Sequence, residues 1–331
     1  LTIDMNLQFK LIEELRMAIL AAKAKGGFGL ILDIKNGDVL ASASYPTYNP
    51  NNSQRVVQRN RVVDEFIEPG SLVKPLTIAG ALEREVVDYS TVIDTNPGYI
   101  TLSSFKKGEA GGKNLGVLTL SEVISKSSQV GIAKIAVELD TPQIRENLWS
   151  FGIARGWDID WPSINFGHIL DRPKFYDIDK ASIGYGYLIN ANLLQIARAY
   201  SVFGNDGYRI EPRLTFDHKS EIEKVLEKDN ADFILNALRE TVTDGTAKNL
   251  KNSSVSIAGK TGTAEKYIVG EGYANDRYVS SFAGIFPYEQ PQFVMVITID
   301  EPDPNNYYGG QVSAPIVQRT VSYTHLRAHE T

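Results

Sequence analysis

The order of its apolar segments constrains the fold of this 331-residue chain more than any other feature. Five segments have the composition of strands, at 28–34, 39–45, 256–266, 279–286 and 293–300. The first two are joined by Asn36-Gly37, which is typical of a tight hairpin, and the last three are joined by short turns. Short connections favour antiparallel pairing, so the pattern predicts one five-stranded antiparallel sheet whose strands come from both ends of the chain.

The middle of the chain has helical spacing of its apolar residues. It predicts helices at 76–85, 119–139, 141–151, 192–203 and 229–242, and a further amphipathic helix at 7–25 precedes the first strand. We therefore predict an α+β fold. The sheet comes from about 27–45 and 256–300, helices flank it, and a helical subdomain at about 76–250 is inserted between its halves. The predicted domain spans 1–320. Residues 321–331 follow no preceding pattern and are predicted to be a non-native tail.

Composition excludes several kinds of site. The chain has no cysteine, which rules out disulfides, a cysteine nucleophile and thiolate metal ligands. Its formal net charge is −6 and it lacks a long basic run, so nucleic acid is not an expected partner. His168 and His218 are isolated, and the other two histidines lie in the predicted tail. We predict neither a metal site nor a cofactor.

A serine and a lysine three residues apart form the first candidate for catalysis. Pro69-Gly70 breaks any helix ahead of Ser71, and Pro75 is tolerated only in the first turn of a helix, which places Ser71 at or just before a helix start. Residues at i and i+3 share a helical face, so the Lys74 amine can reach the Ser71 hydroxyl. A lysine whose pKa is lowered by burial or a nearby positive charge can act as the base that activates a serine.

The spacing alone does not decide between a nucleophile and an ordinary helix start. Ser71 can equally be a helix cap, with Lys74 as a solvated side chain in the first turn. The same S-x-x-K spacing also occurs at Ser103–Lys106 and at Ser104–Lys107, in a stretch that is predicted to be a loop. The other motifs of the chain are needed to decide between a nucleophile and a helix cap.

The first of the late strands carries the second candidate. Lys260-Thr261-Gly262-Thr263 buries little apolar surface, and glycine weakens a strand unless a ligand or another backbone approaches it. As a binding edge, Lys260 supplies positive charge, the two threonine hydroxyls donate hydrogen bonds to a carboxylate, and Gly262 leaves room for a substrate backbone. The alternative is an edge strand that its lysine protects against aggregation.

Ser127-Ser128-Gln129 lies inside the predicted helix 119–139, where alone it indicates only a solvent-facing turn. In chain order, however, the three motifs read S-x-x-K, S-x-amide and K-T-G, a set that class A β-lactamases and penicillin-binding proteins share. Further matching stretches are Arg59-Asn60-Arg61, Glu68-Pro69-Gly70, Val130-Gly131, Gly184-Tyr185-Gly186 and Tyr307-Tyr308-Gly309-Gly310. From Leu1 to about Thr320 the chain resembles the transpeptidase domain of a class B penicillin-binding protein, most closely the septal, cell-division type.

The resemblance implies the fold of penicillin-binding proteins and serine β-lactamases, and a reaction. Ser71 would attack the peptide bond between the two terminal D-alanines of a peptidoglycan stem peptide, and an amine of a neighbouring stem would then attack the acyl-enzyme. Lys74 would be the base toward Ser71, with its pKa lowered by burial and by the Lys260 ammonium. Ser127 would relay a proton to the leaving amine.

The resemblance also implies a binding site for the donor peptide. Lys260, Thr261 and Thr263 would hold the terminal carboxylate beside Gly262, and the backbone N–H groups of Ser71 and Thr263 would form the oxyanion hole. The family pattern has asparagine where this chain has Gln129, which adds a methylene to the amide side chain. We predict reduced turnover with retained β-lactam acylation at Ser71.

The same motifs leave other activities open, namely a D,D-carboxypeptidase, a β-lactamase, or a non-catalytic module that binds or senses β-lactams. The expected ligands are a stem peptide ending in D-Ala-D-Ala and β-lactam antibiotics, and the expected protein partners are a membrane glycan polymerase and cell-division proteins. Proteins of this kind act at the outer face of the bacterial cytoplasmic membrane. They carry an N-terminal anchor and a pedestal domain, which this sequence does not include.

Overall fold

The computed structural model describes residues 1–47, 60–161, 164–268 and 270–328, apart from the side chains of 275 and 323–328. Arg59 of the Arg59-Asn60-Arg61 match lies outside these residues. The helices are α1 Met5–Ala21, α2 Arg61–Asp64, α3 Lys74–Glu83, α4 Leu120–Ser125, α5 Gln129–Glu138, α6 Thr141–Ser150, α7 Asp177–Gly184, α8 Leu193–Gly204, α9 Lys228–Thr243, α10 Gly309–Val312 and α11 Ala314–Ala328. The strands are β1 Gly26–Asp33, β2 Val39–Tyr45, β3 Val92–Asp94, β4 Tyr99–Leu102, β5 Phe105–Gly108, β6 Val117–Thr119, β7 His168–Ile169, β8 Ile189–Asn190, β9 Tyr208–Ile210, β10 Ile222–Lys224, β11 Ala258–Ile268, β12 Gly272–Phe286 and β13 Phe293–Asp300.

The main sheet has five strands in the order β11-β12-β13-β1-β2, and all its pairings are antiparallel. This confirms the predicted sheet and its assembly from both ends of the chain. The two halves meet where β1 pairs with β13, from Gly26 opposite Asp300 to Asp33 opposite Phe293. Strand β11 lies at one edge of the sheet, and on its outer side it pairs with none of the strands that the structure describes.

Side chains of the central strands alternate between the two faces of the sheet, and each face contributes to its own apolar core. Phe28, Leu30 and Leu32 of β1 join the larger core, which also contains α3, α5 and the fully buried α8. Ile31 points to the opposite face, where it packs in a second core with α1 and α11. Because successive strand residues face opposite sides, an almost continuous apolar run supplies both layers. Burying one such leucine or isoleucine contributes about 1.5–3 kcal/mol.

The predicted helix 119–139 is wrong as a single element. Helix α4 ends at Ser125, α5 begins at Gln129, and Ser127 between them has a left-handed backbone with φ of 59°. Ser128 caps α5, since its Oγ accepts a hydrogen bond from the Gly131 N–H at 2.8 Å. The apolar periodicity continues across this break because both helices face the same core, which is why the sequence pattern conceals it.

Other differences from the predictions are smaller. The stretch that contains Ser103 and Ser104 is not all loop, since these residues form the turn between β4 and β5. The predicted helical subdomain also holds short two-stranded sheets. Helix α11 continues through 321–328, across the predicted start of the tail. Over the described ranges, no helix is both long and apolar enough to cross a membrane.

Candidate active site

A tight turn presents Ser71 at the start of a helix. Residues Gly70–Leu72 form a single 3₁₀ turn directly before α3, and Pro75 lies in the first turn of α3, as the sequence predicts. Gly70 has φ of +53° and donates its N–H to the Gly186 carbonyl at 3.0 Å. A methyl group on Gly186 would lie 2.0 Å from the Gly70 carbonyl oxygen. Gly186 is therefore required for the close approach of the two backbones, and Gly70 suits the left-handed conformation of the turn.

The Lys74 side chain is fully buried and reaches the turn between α4 and α5. Its Nζ donates to the Ser127 carbonyl oxygen at 2.6 Å and lies 3.3 Å from Ser127 Oγ. Lys260 is also fully buried, and its Nζ donates to the same Ser127 Oγ at 2.8 Å. One serine hydroxyl is thus held between two lysine amines that come from α3 and from β11.

Burial lowers the pKa of both lysines. The pKa of Lys74 falls to about 7, with burial as the main cause and the positive charge of Lys107 as a smaller one, while the negative charge of Glu109 opposes the shift. The pKa of Lys260 lies well below its usual value, again mainly because of burial and then because of the Lys74 charge. Lys74 and Lys260 repel each other where both approach Ser127 Oγ, as the resemblance implies, and Lys107 adds a further positive charge that lowers the pKa of Lys74.

The edge strand β11 forms the wall opposite Ser127. The Thr263 hydroxyl accepts a hydrogen bond from the Gly309 N–H at 3.1 Å, and the Thr261 hydroxyl lies 2.7 Å from that of Thr246. A methyl group on Gly262 would lie 3.0 Å from Leu72 Cγ. The missing side chain of Gly262 therefore makes room for the turn that carries Ser71. The predicted room for a substrate backbone stays a prediction.

Two predicted residues have side chains that make no hydrogen bond within the described part of the chain. These are Ser71, through its Oγ, and Gln129, through its amide. The predicted contact between Lys74 and Ser71 is absent for the same set of residues, and Lys74 donates to Ser127 instead. Hydrogen bonds thus bring Lys74, Ser127 and Lys260 together, and Ser71 lies three residues before Lys74 in the turn that leads into α3.

Sequence reasoning missed two charged residues beside the site. Glu109 is buried and accepts hydrogen bonds from the first residues of α5. Lys107 lies over the rings of Tyr185 and Tyr187, with its Nζ 5.1 and 5.6 Å from the ring centres. Lys107 appeared in the sequence analysis only as part of a chance S-x-x-K match, and Glu109 stands in a glycine-rich stretch with no motif.

A resident metal has no ligand set here. Across the described part of the chain, no group of three or more histidine, aspartate or glutamate side chains could hold a metal ion. The chemistry available here is that of the Ser71 hydroxyl at a helix start and of two lysines of lowered pKa with Ser127 between them. Such a constellation suits acyl transfer through a serine ester.

Comparison with known proteins agrees with this description. Residues 27–322 match the family model of the penicillin binding protein transpeptidase domain. A probable peptidoglycan D,D-transpeptidase, PbpC, from Pseudomonas aeruginosa is 33% identical over 322 residues, which are 95% of this chain and 56% of that protein. The peptidoglycan D,D-transpeptidase FtsI of Escherichia coli K12 is 32% identical over 96% of this chain and 54% of its own length.

The chain thus spans about half the length of the curated relatives that it matches. Among solved structures, the apo transpeptidase domain of penicillin-binding protein 3 from Burkholderia pseudomallei superposes with a TM-score of 0.88 at 30% identity. That match covers 99% of this chain and 96% of the solved one. The likeness confirms the predicted fold class, including the antiparallel sheet flanked by helices.

Proposed function

The chain belongs to the penicillin-binding protein transpeptidase family, and on this premise we propose that it is a serine D,D-transpeptidase that cross-links peptidoglycan stem peptides. The observation that carries the proposal is the convergence of Lys74 and Lys260 on Ser127 Oγ, with Ser71 three residues before Lys74 at the start of α3. A lysine with a pKa of about 7 is partly unprotonated at neutral pH, which is what a general base needs.

The proposed reaction has two halves. Ser71 Oγ attacks the carbonyl carbon of the penultimate D-alanine, and neutral Lys74 takes the hydroxyl proton. The bond to the terminal D-alanine breaks, its nitrogen receives a proton through Ser127, and an ester remains on Ser71. An amine of a neighbouring stem then attacks the ester, forms the new amide, and returns a proton to Ser71 Oγ.

The donor peptide would bind along the free edge of β11. An extended peptide can pair with an exposed strand edge, and this mode suits the chain ahead of the D-Ala-D-Ala terminus. Lys260 with the Thr261 and Thr263 hydroxyls would hold the terminal carboxylate, while the N–H groups of Ser71 and Thr263 would stabilise the oxyanion. One such donor is typically worth about 3–4 kcal/mol in acyl transfer. Gln129 would orient the peptide from the opposite wall.

The wider role is also a proposal. β-Lactams would acylate Ser71 as analogues of D-Ala-D-Ala, and cross-linking would serve the division septum at the outer face of the cytoplasmic membrane. A membrane glycan polymerase and division proteins would be the partners of the full-length protein. Similarity to the peptidoglycan D,D-transpeptidase FtsI of Escherichia coli over most of this chain supports this assignment.

Two measurements test the activity. Incubation with a fluorescent penicillin and intact-protein mass spectrometry should give one adduct, on the Ser71 peptide, and the Ser71→Ala variant should give none. A stem pentapeptide with an amine acceptor should then yield D-alanine together with a cross-linked product. Absence of the Ser71 adduct would overturn the assignment, and D-alanine release without any cross-link would make the protein a carboxypeptidase.

A further inference from the structure

The buried carboxylate of Glu109 forms hydrogen bonds with the start of α5, although Glu109 lies outside that helix. It follows β5 directly and accepts hydrogen bonds from the Gln129 N–H at 2.6 Å, from the Val130 N–H at 3.3 Å and from the Ser128 hydroxyl. A carboxylate at a helix N-terminus satisfies free N–H groups and interacts favourably with the helix dipole. Both of its oxygens are used in this way.

The residues that Glu109 binds directly follow Ser127. Ser127 is a non-glycine residue in the left-handed region, an unfavourable conformation that persists only when its surroundings impose it. The Ser128 contacts with Glu109 and with the Gly131 N–H supply that constraint on the side toward α5. Glu109 therefore helps to fix the hydroxyl that Lys74 and Lys260 share.

The charge of Glu109 also acts on the lysines. Neither Lys74 nor Lys260 is in an ion pair with a residue of the described ranges. The charged groups that face Lys74 are Lys260 from β11, Lys107 from β5 and Glu109. Glu109 raises the pKa of Lys74 and Lys107 lowers it, so one short segment carries two opposing charges beside the site.

We propose that Glu109 is a positioning residue for the reaction assigned above, holding Ser127 between the two lysines and, together with Lys107, setting the charge state of the site. The proposal rests on the proposed function. It is distinct from a role as the base that activates a hydrolytic water in β-lactamases, because both carboxylate oxygens of Glu109 already accept hydrogen bonds from the start of α5.

The decisive variant is Glu109→Gln, studied by the rate of acylation with a fluorescent penicillin between pH 5 and 9. In the unmodified chain the rate should rise with pH as Lys74 loses its proton, with a midpoint near its pKa of about 7. Removal of the Glu109 charge lowers this pKa further, so the midpoint should move down by about one pH unit. The plateau rate should fall by about 10- to 100-fold, because the Ser127 turn loses its support.

Two further variants separate charge from packing. Lys107→Gln removes the opposing charge, so the midpoint should move upward by a few tenths of a pH unit. Glu109→Asp keeps the charge but shortens the reach, so the plateau should fall with the midpoint unmoved. As a matched control, Glu138→Gln changes an exposed carboxylate at the far end of α5 and should leave both values unchanged.

Each outcome decides the proposal. If Glu109→Gln lowers the plateau rate of acylation but leaves the midpoint of its pH profile unchanged, Glu109 does not control the charge of Lys74. An unchanged midpoint in Lys107→Gln would likewise refute control of that charge by Lys107. If Glu109→Gln does not fold, Lys107→Gln tests the control of charge and Glu109→Asp tests the positioning of Ser127.

Thermal unfolding of Glu109→Gln, Ser128→Ala and the double variant provides a test that needs no activity. Additive losses of Tm in the double variant would refute the contact between Glu109 and Ser128. If the unmodified chain fails to label, the proposed function fails, whereas normal labelling of Glu109→Gln overturns only this inference.

Discussion

Two regions of the molecule each bury a pair of cations, and they treat the charges in opposite ways. Between α8 and β9, the buried Arg198 and Arg209 share the carboxylate of Glu211, with Arg209 Nη2 3.0 Å from Glu211 Oε1, and Arg209 also contacts Glu223 at 2.5 Å. At the candidate active site, the amines of Lys74 and Lys260 meet at the neutral hydroxyl of Ser127.

The difference separates a structural charge cluster from a reactive one. Burial lowers the pKa of Arg198 to about 10, a shift that Glu211 opposes, so the arginine remains protonated at neutral pH. The pKa of Lys74 falls to about 7, so its proton can be lost and regained. A cation that must stay charged is given a carboxylate, and a lysine that must exchange a proton is kept from direct contact with one.

Lys74→Met should have the largest effect on function. A positioned general base contributes about 10²–10⁴-fold, so we expect acylation by a fluorescent penicillin to fall by about 1000-fold, with the fold intact because a buried charge is replaced by an apolar side chain. The matched control is Lys106→Met, which removes the lysine of a second S-x-x-K match from the exposed surface of β5. Equal rates for the two variants would remove Lys74 from the mechanism.

Arg198→Met should lower stability and leave the acylation rate unchanged. It leaves the Glu211 carboxylate with one cation fewer in a buried place and removes the guanidinium that lies 4.2 Å from the centre of the Trp157 ring. We expect the free energy of unfolding to fall by about 3–4 kcal/mol, measured by urea denaturation, while the acylation rate per folded molecule stays the same. Arg155→Met, at a half-exposed arginine that contacts Glu223 at 3.5 Å, should cost less than about 1 kcal/mol. Similar losses in the two variants would contradict a paired structural cluster.

Gln129→Asn should raise turnover at the candidate active site. The shorter amide matches the family pattern, and in the described structure the longer Gln129 side chain makes no hydrogen bond to the residues around it. We expect turnover of a D-Ala-D-Ala peptide to rise by up to about 100-fold, with little change in acylation by penicillin. A fall in turnover would mean that the glutamine is adapted to its place. Gln290→Asn, at an exposed position in the turn between β12 and β13, serves as a control for shortening a glutamine elsewhere.

The smallest expected effect is on the pH dependence of stability. The pKa of Lys74 is lowered on folding, so the unfolded chain binds more protons between about pH 7 and the ordinary lysine value, and stability rises with pH there. From pH 7.5 to 8.5 the unmodified chain should gain about 1 kcal/mol relative to Lys74→Met. Urea unfolding at the two pH values measures it, and parallel stabilities would show that Lys74 keeps an ordinary pKa.

Much of the fold could be predicted because turn residues border the apolar strands. The strand boundaries at β2 and β13 agree with the predicted 39–45 and 293–300, since Pro46 follows β2 and Pro291 and Pro302 lie on either side of β13. The break between α4 and α5 could not be found this way. It depends on Ser127 in a left-handed conformation and on Glu109 from a distant loop, and neither changes the apolar periodicity.

The motifs located the site residues, while their partners came only from the structure. Pro75 placed Ser71 at a helix start, and Lys260 was placed on an edge strand, as the structure has them. The spacing of Ser71 and Lys74 nevertheless predicted a direct contact, whereas Lys74 donates to Ser127. Long, flexible lysine side chains select the acceptor that burial leaves them, and that depends on tertiary packing.

The pairing of β1 with β13 has a consequence for the time at which the site forms. The first and last strand groups meet only there, and Lys260 reaches a serine 133 residues earlier in the chain. Contacts of such long sequence separation form late and slowly in folding. Reactivity toward penicillin should therefore appear only once almost the whole chain has been synthesised and folded, so that covalent labelling reports completed folding of individual molecules.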